Sequence, residues 1–298
     1  MKVAILIMAH HQPSHLAKLI EALNCDWAYF FIHVDKKVDV AEFIKMAPKS
    51  SNIKFLDTAQ RVKVYWGGYS QVKATLNLLN MALHSGEHFD RFCLLSGSDF
   101  PIKNINHIKS VFDTKKEFIR IDRRLGDFDS NTHYNFVRYL YFMDTPFLQR
   151  FGWSGKIPRK AYKKINLYHG AQWWSLTSEC VDYIMKFLKK NRDYTFFHHW
   201  TRAPDEIFFN SIVKNSPFAS NISHDFEQVS SSDDYFKLNE HGCTYIDWNA
   251  KNVTLPKVLD VEDFNDLVNS SCLFARKFDQ SKSSDLVEML QKQNSLNI

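Results

Sequence analysis

The first 35 residues constrain the fold more than any other part of the chain. Residues 3–8 form a continuous apolar run rich in β-branched side chains, which is typical of a strand buried on both faces. Residues 14–23 carry apolar side chains at helical spacing, and residues 29–35 are a second apolar run that ends in charge. Strand, helix and strand in so short a span predict a βαβ unit and therefore a parallel sheet. We expect an α/β fold whose ligands bind beyond the carboxyl ends of the strands.

The rest of the chain continues this alternation. Short strands are predicted around residues 53–56 and 92–95, on either side of a long amphipathic helix over residues 69–84. A further strand is predicted at 170–176 and a helix at 178–190. Residues 115–165 are irregular, basic and aromatic, which favours an elaborate surface loop region. No Gly/Ser/Pro-rich linker divides the 298 residues, so we expect one domain over 1–298.

Composition indicates which class of molecule the protein binds and in which cellular compartment it works. The net charge of +5 is spread along the chain and forms no basic run. This balance suits an anionic small molecule or an anionic membrane surface better than nucleic acid. The five cysteines show no C-x-x-C spacing, which favours free thiols in a reducing compartment. The apolar start of the chain is too short for a signal peptide with a cleavage site, and no other segment reaches the length of a membrane span. We therefore expect a cytoplasmic protein.

Polar residues at the predicted strand ends are candidates for ligand contact. His10, His33 and Asp35 lie at or near the carboxyl ends of the first two strands, and the Trp66-Gly67 loop precedes the long helix. No G-x-G-x-x-G or Walker pattern occurs, which argues against a dinucleotide or ATP phosphate loop. A single histidine at a strand end is equally well explained as a structural hydrogen-bonding group.

The Pro204-Asp205-Glu206 triplet allows two interpretations on its own. Proline suits the first turn of a helix, and acidic side chains there complement the helix dipole, so a helix start explains all three residues. A carboxylate that acts as a general base is the second interpretation.

Seven segments in a fixed order favour the second interpretation. They are His33-Val34-Asp35, Trp66-Gly67-Gly68, Leu94 to Ile102, Gly170 to Trp174, Pro204-Asp205-Glu206, Tyr245 to Trp248 and Leu273 to Asp279. Each segment alone is weak, but the series resembles the family of core-2/I-branching β-1,6-N-acetylglucosaminyltransferases and peptide O-xylosyltransferases over nearly the whole chain. The resemblance implies a GT-A glycosyltransferase fold, with a Rossmann-like, mostly parallel central sheet flanked by helices. It also implies inverting transfer from a UDP-sugar, with no metal ion and no other cofactor.

The resemblance also implies roles for particular residues. Glu206 matches the family's general base, and Lys277 matches one of the cations that neutralise the leaving diphosphate, with Arg276 as its neighbour. The family's second cation is an arginine, and the matching neighbourhood has none; Lys237, His241 or Arg276 could replace it. An exposed basic pair near a helix end is the structural alternative for Arg276 and Lys277.

One carboxylate, Asp99, stands where metal-dependent GT-A enzymes place a D-x-D motif. The literal D-x-D, Asp127-Phe128-Asp129, comes about 30 residues later and is interpreted as a solvated loop pair. We expect no metal site. A metal-dependent transferase that uses Asp99 is the alternative.

The remaining candidates divide between donor and acceptor. Candidates for the donor are His10, His33, Asp35, Trp66, Gly67 and Asp99, together with Lys277 and Arg276. Candidates for the acceptor are Trp173, Trp174, Arg138 and Trp248, because aromatic faces stack on sugar rings and arginine binds hydroxyls. Either of the two adjacent tryptophans could equally be a core residue. Residues 1–114 are expected to bind the nucleotide sugar, and residues 115–298 to carry the acceptor site and the base.

The sequence thus predicts a bacterial glycosyltransferase on the cytoplasmic side of the membrane. Its first candidate donor is UDP-N-acetylglucosamine, with UDP-xylose as the alternative, and its acceptor is a glycan or glycolipid. The basic region 115–165 predicts peripheral contact with the inner membrane. A catalytically silent module that binds a glycan or nucleotide sugar is the alternative from another functional class.

Overall fold

A computed structural model describes residues 1–126, 132–151, 154–227 and 238–296. Its strands are β1 (Val3–Ala9), β2 (Ala28–Val34), β3 (Ile53–Phe55), β4 (Arg91–Ser96), β5 (Phe100–Pro101), β6 (Glu117–Leu125), β7 (Tyr139–Leu140), β8 (Ile157–Pro158), β9 (Leu167–Gly170), β10 (Ser175–Thr177), β11 (Ile222–Asp225), β12 (Glu240–His241), β13 (Thr244–Ile246) and β14 (Phe274–Arg276). Its α-helices are α1 (Pro13–Leu23), α2 (Ala41–Met46), α3 (Tyr69–Leu83), α4 (Ile105–Phe112), α5 (Asn135–Arg138), α6 (Pro146–Gln149), α7 (Ser178–Lys190), α8 (Arg192–His198), α9 (Phe208–Lys214), α10 (Phe264–Asn269) and α11 (Gln280–Leu296). Short 3-10 helices lie at Thr132–Tyr134, Pro204–Glu206, Ala219–Asn221 and Val261–Asp263.

The central sheet is mixed and mostly parallel. Its strand order is β11-β6-β10-β4-β1-β2-β3, and β9 also pairs with β6. The β1–β2, β1–β4, β2–β3 and β6–β11 pairs are parallel, whereas β10 runs antiparallel to both its neighbours and β9 runs antiparallel to β6. The predicted α/β fold with a mostly parallel sheet is confirmed, as is the βαβ unit of the first 35 residues.

The sheet separates two hydrophobic layers. Successive residues of β1 alternate between them, since Val3 and Ile5 pack in one layer and Ala4 and Leu6 in the other. Helices α1, α2, α4, α10 and α11 cover the first layer, and α3, α7, α8 and α9 cover the second. Burial on both faces explains why the strand is apolar throughout and does not alternate with polar residues.

A second, four-stranded sheet brings the end of the chain to the carboxyl edge of the first sheet. Its order is β12-β13-β14-β5, and β14 runs antiparallel to β5, which follows β4 directly. The backbone N–H of Phe278 donates to the Ser98 carbonyl at 2.8 Å. The segment after β14 therefore lies beside the loop after β4.

Two local predictions were wrong. The strand expected at 170–176 is two strands, β9 and β10, which pair with different partners. The region 115–165, expected to be a surface loop, begins with the nine-residue strand β6. Arg120, Arg123 and Arg124 favoured a basic surface loop, yet Arg120 is buried, where it pairs with the buried Asp122 at 2.7 Å. Among the described residues, no helix combines the length and the apolar character that a membrane span requires.

Candidate active site

The carboxyl ends of β1, β2 and β4 meet at one edge of the central sheet. The N–H of Asp35 donates to the Ala9 carbonyl at 2.9 Å, and the N–H of Gly97 donates to the Met8 carbonyl at 2.8 Å. Asp35 is 6% exposed, and its carboxylate lies 3.4 Å from the Lys37 ammonium. Parallel strands of α/β proteins bind ligands at this edge.

Lys277 and His10 lie together at this edge. His10 is exposed, and its ring centroid is 4.1 Å from that of His11. Partial desolvation of the ring, the neighbouring His11 and the charge of Lys277 lower the pKa of His10 to about 4; the charge of Asp35 opposes them, and Lys37 adds a smaller lowering effect. His10 is therefore neutral at pH 7, and the positive charge here comes from Lys277 and Lys37. Sequence reasoning missed Lys37, although it follows Asp35 by only two residues.

The structure places His33 and Asp99 in the interior. His33 is 1% exposed, and its Nε2 accepts a hydrogen bond from the N–H of Val62 at 3.0 Å. Asp99 is fully buried and accepts from the N–H of Ser96 at 2.8 Å. Burial raises the pKa of Asp99 to about 6, against the opposing charge of Arg276. Neither side chain can reach a ligand at the edge of the sheet.

Arg276 and the two candidate tryptophans are also held by contacts with other side chains of the protein. Arg276 Nε lies 3.4 Å from Asp99 Oδ1, and its guanidinium stacks 4.5 Å above the Trp173 ring. Trp173 is 7% exposed and Trp174 only 1%, the latter packed on Phe209 in the core. Neither tryptophan offers a free face to a sugar. The other acceptor candidates remain accessible: Trp248 is 46% exposed, and Arg138 lines an open cleft of about 970 Å³.

Two glycines allow the loop Trp66-Gly67-Gly68 to pack closely against neighbouring segments of the site. Gly67 has a φ of +70°, which favours glycine, and its carbonyl accepts from the N–H of Ala203 at 2.8 Å. A Cβ on Gly68 would lie 2.1 Å from an Asp144 carboxylate oxygen. Trp66 itself is 75% exposed. This loop is thereby tied directly to the turn that carries Pro204-Asp205-Glu206.

The Pro204–Glu206 segment is a single 3-10 turn, and α9 begins two residues after it. The side chain of Asp205 points inward and accepts from Gln71 Nε2 at 3.0 Å. Burial and the neighbouring charge of Glu206 hold the pKa of Asp205 well above its usual range. Glu206 is different, because its side chain is 37% exposed. The turn therefore buries one carboxyl group and presents the other.

Glu206 is held by a line of buried polar groups that the sequence analysis missed. Its Oε2 lies 3.2 Å from His169 Nε2, and His169 Nδ1 lies 3.2 Å from Asp122 Oδ2. Asp122 Oδ1 in turn accepts from Arg120 Nε at 2.7 Å. Among the described residues, none pairs with the second oxygen of Glu206. One oxygen of the carboxylate is therefore fixed, and the other can receive a proton.

His169 carries a positive charge in this arrangement. Burial lowers its pKa, but the hydrogen bonds to Asp122 and Glu206 outweigh that effect and raise the pKa to about 9. Burial raises the pKa of Asp122, but the charges and hydrogen bonds of His169 and Arg120 outweigh burial and lower this pKa to about 2. The His133 ring lies 4.2 Å from that of His169. The available signal was Arg120-x-Asp122, two charged residues of opposite sign on one face of a strand that also carries Glu117, Arg123 and Arg124.

Several further residues bear on phosphate or metal binding. Burial lowers the pKa of His241 to about 3, so it offers no positive charge at neutral pH. Lys237 and the Asp127-Phe128-Asp129 pair lie outside the described residues. Within the described ranges, no group of three or more His, Cys, Asp or Glu side chains is arranged to hold a metal ion.

Comparison with protein-family models matches residues 3–268 to a family described as Core-2/I-Branching enzyme. The match covers most of the chain. The chain belongs to this family of glycosyltransferases. The predicted family is therefore confirmed, whereas the comparison says nothing of a bacterial origin.

Curated relatives include xylosyltransferases. Xylosyltransferase 2 of Rattus norvegicus is 24% identical over 318 residues, which cover 97% of this chain and 33% of the relative. Xylosyltransferase 1 of Homo sapiens is 22% identical over 316 residues, which cover 97% and 30%. The chain thus spans about a third of the length of these relatives.

Two solved structures show a looser likeness. Mouse xyloside xylosyltransferase 1 matches with a TM-score of 0.34 and 13% identity, covering 75% of this chain and 85% of that one. The galactosyltransferase LgtC matches with a TM-score of 0.38 and 9% identity, covering 98% and 95%. Scores at this level identify no activity for this chain.

Proposed function

We propose that this glycosyltransferase moves a sugar from a UDP-sugar to a glycan hydroxyl with inversion, without a metal ion, and with Glu206 as general base. One observation supports this most: Glu206 is the accessible carboxylate of its turn, and a buried histidine holds one of its two oxygens at 3.2 Å. A helix start would explain an acidic side chain at this position. It would not explain the buried line from Arg120 through Asp122 to His169, which ends on Glu206.

The proposed reaction is a single displacement. The acceptor oxygen forms a bond to the anomeric carbon as the bond from that carbon to the UDP oxygen breaks, and UDP leaves with the electron pair. The acceptor proton moves to Glu206 Oε1, while His169 keeps Oε2 in place. A general base of this kind contributes roughly 10²–10⁴-fold to the rate.

Lys277 is the proposed partner of the leaving diphosphate, with Lys37 as the second cation. Both lie within electrostatic reach of His10 at the carboxyl edge of the sheet. A hydrogen bond to a charged group contributes about 1.5–3 kcal/mol, so two lysines could stand in for a metal ion. Asp35, His10, Trp66 and Gly67 complete the proposed donor site. In this proposal Arg276 supports the donor site indirectly, because it pairs with the buried Asp99.

The donor has two candidates. We favour N-acetylglucosamine, in line with the core-2/I-branching description of the family. UDP-xylose is the second candidate, since curated relatives that match 97% of the chain are named xylosyltransferases. Arg138 and Trp248 are the accessible candidates for binding a glycan or glycolipid acceptor. Residues 1–114 would contribute most of the donor site, and residues 115–298 the base and the acceptor site, in a bacterial enzyme at the cytoplasmic face of the membrane.

Thermal unfolding with UDP-N-acetylglucosamine, UDP-xylose, UDP-glucose and UDP-galactose, each in EDTA and in Mn²⁺, tests the donor and the metal together. A donor at about 100 times its dissociation constant adds about 2.7 kcal/mol to the free energy of unfolding. The proposal predicts that one UDP-sugar raises the melting temperature equally in EDTA and in Mn²⁺. A rise that requires Mn²⁺ would contradict the metal-free mechanism, and no rise with any UDP compound would contradict the function.

A further inference from the structure

A basic segment, here called the arm, adjoins the candidate active site. It comprises the described residues 139–151 and 154–160, in which β7 pairs with β8 and α6 lies between these strands along the chain. Apolar side chains on the arm face solvent: Phe147 is 68% exposed, Phe151 51% and Ile157 38%. The Phe147 and Phe151 rings contact each other at 5.2 Å, edge to face. The arm thus presents an aromatic pair to the outside.

Positive charge surrounds this aromatic pair. Residues 145–165 contain no Asp or Glu, but they contain Arg150, Lys156, Arg159, Lys160, Lys163 and Lys164. Arg159 is turned inward, where its guanidinium stacks on Phe197 at 3.8 Å. Arg150, Lys156 and Lys160 are exposed. The outer surface of the arm is therefore both aromatic and cationic.

The arm is fastened to the loop that adjoins the proposed base. Both oxygens of Asp144 accept hydrogen bonds from Ser70, from its N–H at 2.9 Å and from its hydroxyl at 2.6 Å. The Met143 methyl lies 3.6 Å from the place where a side chain on Gly67 would begin. Gly67 in turn binds Ala203, which precedes the Pro204–Glu206 turn. These contacts connect the arm, through the Trp66 loop, to the turn that carries Glu206.

We propose that the basic arm docks on an anionic lipid surface, with Phe147 and Phe151 in the interfacial layer and Arg150, Lys156 and Lys160 on the lipid phosphates. Phe is among the side chains that interfacial membrane anchors bury at the headgroup–acyl boundary, and lysine and arginine are attracted to anionic headgroups. Protein interfaces, by contrast, are depleted of lysine. The inference rests on the proposed function, which it deepens by making the acceptor a lipid-linked glycan presented to Glu206 at the membrane.

Binding of the full chain to vesicles tests the proposal. Sedimentation would be measured with vesicles of phosphatidylcholine alone and of phosphatidylcholine mixed with phosphatidylglycerol. We expect binding to the anionic vesicles only. The Phe147→Ala/Phe151→Ala variant should bind anionic vesicles more weakly, by about tenfold for each of the two rings removed. The Arg150→Ala/Lys156→Ala variant should also bind them more weakly, by about fivefold for each of the two charges removed.

Matched controls lie on the opposite side of the sheet, on and just after α2. Ile44 is 50% exposed, and Lys45 and Lys49 are exposed cations there. Ile44→Ala and Lys45→Ala/Lys49→Ala should bind vesicles as the wild type does. Equal losses in control and arm variants, or equal binding to neutral vesicles, would overturn the proposal. Binding to soluble heparin but not to anionic vesicles would overturn it in favour of an anionic glycan.

A second readout separates this inference from the proposed function. The rise in melting temperature with the UDP-sugar, measured without vesicles, should be the same in the wild type and in the Phe147→Ala/Phe151→Ala variant. A normal rise together with unchanged vesicle binding in that variant would refute the docking surface alone. Absence of a rise with every UDP-sugar in the wild type would refute the proposed function, whatever the vesicles show.

Discussion

Folding stability should depend less on pH when His169 is replaced by glutamine, because the contribution of the His169 proton is lost. His169 is buried between Asp122 and Glu206, and their hydrogen bonds raise its pKa to about 9 despite burial. In the unfolded chain its pKa returns to about 6.5. The folded protein therefore holds the proton more tightly than the unfolded chain does.

The size of the effect follows from this difference in pKa. One pKa unit corresponds to about 1.4 kcal/mol, so the rise from 6.5 to about 9 stabilises the protonated fold by about 3 kcal/mol. Because the folded pKa is raised, this contribution is fully present below pH 6.5 and is lost as the pH rises through about 9. At roughly 2 °C per kcal/mol, the melting temperature should fall by about 6 °C over that range through this residue alone.

Urea unfolding of the wild type and of His169→Gln, measured from pH 6 to pH 10, isolates the contribution. Other titrating groups are common to both proteins and cancel in the difference between the two curves. His15→Gln is the matched control, because His15 is also buried but burial lowers its pKa, so its removal should not reproduce the fall in stability between pH 6.5 and pH 9. Parallel curves for the wild type and His169→Gln would refute a charged His169 between the two carboxylates.

Three further predictions concern the elements that support the site. Asp144→Ala removes two hydrogen bonds at the start of α3 and should lower the free energy of unfolding by about 1–3 kcal/mol in urea; an unchanged midpoint would contradict the fastening of the arm. Gly68→Ala should cost about 1–3 kcal/mol in thermal melting, because its Cβ would overlap Asp144. Gly126→Ala serves as the control, since a Cβ there meets none of the described residues within 4 Å. Asp99→Ala should destabilise by about 3–5 kcal/mol, since it leaves a buried guanidinium without its carboxylate; a loss within 1 kcal/mol of zero would exclude that ion pair.

Local sequence pattern was sufficient to predict the parallel half of the sheet. The strands β1, β2 and β4 are continuous apolar runs because both of their faces are covered, and the helices between them have clear periodicity. β6 was missed because its charged residues are buried against partners far along the chain: Asp122 binds His169 on another strand, and Arg120 donates to the carbonyls of Leu238 and Glu240. Pairing of this kind depends on tertiary contacts, which a single sequence does not display.

The candidate site was predictable only in part, for a related reason. Lys277, His10 and Asp35 follow strand ends, so their positions near one edge can be read from order along the chain, and Glu206 belongs to a distinctive triplet. Whether an aromatic or charged side chain faces solvent is decided by what packs around it. Trp173 looked like a platform for a sugar, but it supports Arg276, which itself pairs with the buried Asp99.

The rate of sugar transfer by Glu206→Gln tests the central claim most directly. It would be measured with the UDP-sugar that the thermal panel identifies, in EDTA, beside the exposed control Glu21→Gln. The account predicts that Glu206→Gln binds the donor normally but transfers at least about a hundredfold more slowly, whereas Glu21→Gln matches the wild type. Transfer by Glu206→Gln at the wild-type rate would contradict the account.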